Sequence, residues 1–176
     1  IRLLVGKLDM AEGGVGIDAK SLVGPAAVSA LEAAQVQKEL ASAGGIPPLI
    51  ALLEGHPEVH RDVAGAIWSL AASGANQAAL AKAGAITPLV NLLNSAGAAQ
   101  ETTAGALAKL AESVEIRIEI AAAGGISLLI ALFDGGSEEA IGQAARALQQ
   151  LVVQNVSNQV AVANEAVEML KQGAPL

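Results

Sequence analysis

Two histidines and a glycine-rich run are the first residues whose types and spacing could do chemistry. His56 and His60 stand four apart with Glu58 between them, a spacing that suits metal ligands on one helical turn. Pro57 places His56 ahead of the helix, and a zinc site needs three or four converging ligands. The sequence offers no third, so the pair reads as turn histidines and no metal is expected. The run Gly14-Val15-Gly16-Ile17-Asp18-Ala19-Lys20-Ser21 is one residue away from a phosphate-binding loop. Ala19 replaces the second glycine, whose backbone must approach the phosphates closely, and the strand that should precede the loop is missing. Asn155-Val156-Ser157 is a glycosylation triplet that matters only in a secreted chain. No Ser-His-Asp arrangement or close carboxylate pair can be read, and two turn histidines give little general-base chemistry. The chain is read as non-catalytic and without a cofactor.

Composition narrows the partners. A net charge of -7, from 10 basic against 17 acidic residues, opposes the counterion release that drives nucleic-acid binding. One Trp and one Phe supply no stacking platform for single-stranded bases. Nucleic acid is therefore not expected as a partner. Hydrophobic residues reach 53%, much of it alanine, yet the longest apolar stretch, residues 120–133, is broken by two glycines and a serine. It falls short of the roughly 18 residues of a spanning helix, so no membrane insertion is expected. Zero cysteines excludes a disulfide framework and fits an intracellular chain, expected to be cytoplasmic ahead of nuclear.

The elements that must position any site follow from a repeat. Ile46-Pro47-Pro48-Leu49-Ile50-Ala51-Leu52-Leu53 returns 40 residues later as Ile86-Thr87-Pro88-Leu89-Val90-Asn91-Leu92-Leu93, and again as Ile126-Ser127-Leu128-Leu129-Ile130-Ala131-Leu132-Phe133. A unit this short cannot bury its apolar face alone, so successive units must stack into a solenoid. Each unit resolves into three helical pieces. A short first helix over residues 35–43 stops at Gly44, with Gly84 and Gly124 recurring at the same place, where a left-handed residue closes a helix. A middle helix over residues 46–54 carries Pro47 near its start, where the missing N–H is harmless. The third helix opens at Pro57 and buries Val63, Ala66, Ile67 and Leu70, spaced i, i+3, i+4, i+7. Its counterparts are Thr103, Ala106, Leu107 and Leu110, then Ala147, Leu148 and Leu151 after a one-residue insertion expected within residues 135–137.

The expected division is one domain, 1–176, with a partial repeat over 1–34, repeats over 35–74, 75–113 and 114–155, and the start of a further repeat over 156–176. The segment 152–166 exceeds its equivalents and is expected to continue as a helix to Lys171. Residues 9–21, with Gly13, Gly14 and Gly16, read as a surface loop, and Gly24-Pro25 as a kink. Both ends cut through a unit, as the likeness of 171–176 to 82–86 shows, which predicts a piece of a longer array or ends covered by a partner.

The pattern Asn76, Leu80, Gly84, Ile86, Pro88, Leu89, Leu92, Leu93, Ala104, Ala106, Leu107, Leu110 resembles the armadillo repeat, with the HEAT repeat as runner-up. The first helix ending in Ala-Gly favours armadillo. The resemblance implies an all-α, right-handed superhelix of about four three-helix repeats, truncated at both ends, whose third helices line a groove for extended partner segments. In peptide-binding members such as importin alpha, an asparagine before the leucine of each third helix clamps the peptide backbone. The matching positions here are Ala30, Ser69, Lys109 and Gln150. Those matching the family's tryptophan are Ala26, Gly65, Gly105 and Arg146, so that ladder is missing.

On this reading Lys109, Glu112, Arg146, Gln149 and Gln150 face the groove, where they could pair with an extended partner, or form a solvated helix face. Trp68 lies away from the buried face of its helix. It is either a binding hot spot or a wedge against small residues of a neighbouring third helix, such as Ala30 or Ala108. The expected partner-binding set is Trp68, Ser69, Lys109, Glu112, Arg146, Gln149 and Gln150. The expected function is a scaffold binding a partner protein or peptide. The alternatives are a structural subunit of a larger complex, held by its ends and convex face, or a regulatory domain of a longer protein.

Overall fold

The computed structural model describes residues 40–95 and 97–171. The expectations for residues 1–39, including the glycine-rich run, Ala26 and Ala30, and for 172–176 lie outside them. The described residues are all-helical, with no strand. Residues 40–42 are helical, and nine α-helices follow. They are α1 (Ile46–Gly55), α2 (His60–Leu70), α3 (Gly74–Lys82), α4 (Ile86–Leu92), α5 (Ala98–Leu110), α6 (Val114–Ala122), α7 (Gly125–Ala131), α8 (Glu138–Val152) and α9 (Val156–Lys171). Pro57–Val59 forms a 3-10 turn leading into α2.

The cycle of first, middle and third helix is as the period predicts: α3, α4, α5, then α6, α7, α8. Gly44, Gly84 and Gly124 hold φ of 77°, 82° and 81°, the left-handed region where a Cβ is costly. At the end of α3 the Ala85 N–H donates to Leu80 O at 3.0 Å, the six-to-one bond that closes a helix on such a residue. Pro47 and Pro48 occupy the opening of α1, where no intrahelical donor is lost. Ser137 caps α8 by accepting from the Ala140 N–H at 3.1 Å, with Glu138 and Glu139 in the first turn facing the positive end of the helix dipole.

The core is a row of interfaces. α2 packs along α5 and α5 along α8, and these are the most extensive helix pairings among the described residues. The residues between them are small: Ala64, Ala66, Ala104, Ala106, Ala144 and Ala147 are fully buried, which lets the backbones approach closely. Val63, Ile67, Leu70, Thr103, Leu107, Leu110 and Leu151 are also fully buried, while Leu148 is packed against the core but partly exposed. The one-residue insertion falls in the turn between α7 and α8, where Gly135 takes φ 126° and the helix faces stay in register. α9 runs for 16 residues without the glycine break of α3 and α6, each of nine, and packs on α7 and α8.

Candidate functional site

The third helices α2, α5 and α8 stand side by side, so residues one unit apart form rows across them. Ser69, Lys109 and Gln150 make one such row, each half-buried. Arg146 and Gln149 are exposed on α8, and Glu112 is exposed just past the end of α5. Of the expected set, the structure joins Lys109 and Glu112 by an ion pair, Nζ to Oε1 at 2.7 Å. Such an exposed pair contributes little to stability and leaves both groups accessible.

Trp68 is half-buried, and its indole lies over Gly105 of α5. A Cβ at Gly105 would sit 2.8 Å from the ring carbons Cε3 and Cζ3, so this glycine is needed for a close approach. The small residue under the ring is thus Gly105 of the following unit. The ring joins two units and keeps one edge in solvent.

A second set of polar residues escaped the sequence reading. Gln77, Arg117 and Asn158 on the first helices are more than nine-tenths buried. Gln77 Nε2 donates to Ala71 O at 2.9 Å and to Lys109 O at 3.1 Å. Arg117 donates through Nε to Ala111 O at 2.7 Å, through Nη1 to Val153 O at 2.8 Å and through Nη2 to Glu112 O at 3.3 Å. Asn158 Nδ2 donates to Leu151 O at 2.9 Å, and its neighbour Gln159 donates through Nε2 to Val152 O at 2.9 Å. All these acceptors lie at the carboxyl ends of third helices, whose last carbonyls have no intrahelical donor. Gln77 and Arg117 each join two successive third helices, and the Arg117 charge also complements the negative end of the helix dipole. The 40-residue spacing of Gln77 and Arg117, beside core residues Leu80 and Ile120, was the available signal.

The remaining ionisable groups offer local effects. The Ser113 hydroxyl donates to Glu115 Oε2 at 2.8 Å and holds that carboxyl below its ordinary range, helped by its own backbone N–H and, least, by the Arg117 charge. His56 Nδ1 lies 3.3 Å from Glu58 Oε1. Among the described residues no three His, Asp or Glu side chains converge as a metal site would require. Nor is any described helix long and apolar enough to cross a membrane.

The family model for the Armadillo/beta-catenin-like repeat matches residues 34–72. A designed armadillo repeat protein in complex with the peptide (KR)4 is similar at 25% identity and a TM-score of 0.76, over 93% of this chain and 69% of that one. The chain carries an armadillo repeat over residues 34–72, and its helices have the armadillo-type solenoid fold. Computationally designed armadillo repeat proteins for modular peptide recognition match with a TM-score of 0.77 at 25% identity, again over 93% of this chain and 69% of theirs. An engineered protein from a structural genomics consortium matches at 28% identity and a TM-score of 0.78, over 97% of this chain and 42% of its own. No match was found among curated protein sequences. By this likeness, α2, α5 and α8 correspond to the third helices of successive armadillo-type units.

Proposed function

We propose that the chain is a non-catalytic intracellular scaffold, cytoplasmic ahead of nuclear, that binds an extended segment of a partner protein along the face of α2, α5 and α8. The row Ser69, Lys109, Gln150 carries the reading. Register-matched polar groups one unit apart suit a ligand whose backbone offers donors and acceptors along its length. The likeness to designed armadillo proteins for peptide recognition supports it.

The chemistry of the ligand differs from that of the (KR)4 peptide. Gly65, Gly105 and Arg146 stand where aromatic shelves for basic side chains would be. Lys109 is already paired with Glu112, and Arg146 is exposed without an ion pair among the described residues. An acidic side chain of the partner therefore lies opposite Arg146, while Gln149 and Gln150 hold its backbone. The test is affinity capture from the native source with mass spectrometry, run on this chain and on the Lys109→Glu, Arg146→Glu variant. Loss of one dominant partner with helicity retained supports groove binding. Unchanged recovery moves the contact to the ends and outer face, as in a structural subunit of a larger complex.

A further inference from the structure

A cleft of 610 Å3 opens between the carboxyl end of α1 and the outer face of α4, and none of the groove residues lines it. A second cleft of 330 Å3 continues from it toward α6, the two sharing Gly84 and Thr87. Thr87, Asn91 and Asn94 line the first at i, i+4, i+7. Along the end of α4 and the turn that follows Leu92 they span about 10 Å, the length of roughly three residues of extended chain. Glu54 and Glu119 stand in the two clefts as their carboxylates, both exposed and neither in an ion pair among the described residues.

Two comparisons within the repeat set this cleft apart from scaffold. Asn91 occupies the position held by Ala51 and Ala131 in the flanking units, so the fold does not require a carboxamide there. His60 occupies the position of Gln100, whose Nε2 donates to Leu93 O at 3.2 Å. His60 Nε2 is buried at the cleft wall and bonds to no group among the described residues. Buried polar atoms almost always have a partner, and one left without at a cleft wall calls for an explanation.

We propose that this cleft is a second peptide site, which takes an extended segment carrying lysine or arginine side chains that meet Glu54 and Glu119. The carboxamides of Asn91 and Asn94 donate to and accept from the peptide backbone, and rotation of the partly exposed His60 ring brings its Nε2, buried in the free protein, to the track. The open form of the cleft suits a chain lying along it, and its two carboxylates exclude an acidic one. The site is separate from the groove and independent of the reading given for it.

The probe is an acetylated, amidated octapeptide of alternating lysine and alanine, followed by amide chemical shifts and fluorescence anisotropy. Binding that shifts Thr87, Asn91, Asn94 and Glu119 supports the site, provided Glu54→Gln, Asn91→Ala and His60→Gln each weaken it at least fivefold. The last two place residues that the same register already accommodates, so folding is preserved. Lys109→Glu with Arg146→Glu leaves the affinity unchanged or raises it, whereas a loss confined to that variant places the peptide in the groove and overturns the proposal. Equal weakening by Glu139→Gln shows attraction to net charge alone, and equal affinity for N-acetyl-lysine methylamide shows a small-cation site. Either result overturns it too.

Discussion

Lys109 belongs to two regions at once. Its backbone carbonyl is held from within by Gln77, while its ammonium group stands at the surface with Glu112. The inner set, Gln77, Arg117 and Asn158, is buried and donates to carbonyls at the ends of third helices. The outer set, Ser69, Lys109, Arg146, Gln149 and Gln150, is at least partly exposed, and its one ion pair is accessible. Polar groups in the first region fix how units join, because unmet carbonyls in a low-dielectric junction are costly. Polar groups in the second are free to exchange water for a ligand.

The sharpest way to break this contrast is to remove the inner cation. Arg117→Ala strips donors from three carbonyls, Ala111, Glu112 and Val153, and should destabilise the chain by about 3 kcal/mol, read as a lowered urea midpoint. A midpoint within error of the parent would show that the junction does not depend on it. Next comes Gly105→Ala, which forces the Trp68 ring to shift and should cost about 1–3 kcal/mol with a change in tryptophan emission. Thr103→Val should act in the opposite direction. Its buried Oγ1 bonds to no group among the described residues and Val63 fills the same register in the previous unit, so a gain of about 1 kcal/mol is expected. Lys109→Ala should move stability by about 0.5 kcal/mol or less, the mark of an exposed residue kept for contact rather than folding.

The smallest effect is at Glu115. Its folded carboxyl titrates below the unfolded value, so its contribution is present above the unfolded pKa and fades as pH falls through the folded one. Ser113→Ala should raise the Glu115 titration toward the ordinary carboxylate range in an NMR pH series. No movement would mean that the hydroxyl does not set it.

The repeat made most of the fold legible. Glycines at 44, 84 and 124 announced left-handed turns, and the i, i+3, i+4, i+7 spacing in α2 and α5 named residues that prove fully buried. α9 reaches Lys171, as the extra length of its segment suggested. The site was legible only in outline. Arg117, set between Ile116 and Ile118, reads as a charge on a helix surface, because its acceptors come from two other helices that converge only after stacking. The partner of Trp68 was hidden for a related reason. Gly105 looks like an unremarkable helix interior residue until a ring from another unit is laid on it. The cleft beside α4 also depends on helices far apart in the chain, and only the departure of Asn91 from its alanine equivalents marks it in the sequence.

The Arg117 fork also has a mechanical meaning. A planar guanidinium cannot lengthen, and it ties the end of α5 to the Val153 carbonyl just beyond α8. A load that pulls α5 and α8 apart must break those directional bonds as well as separate the apolar faces between the two helices.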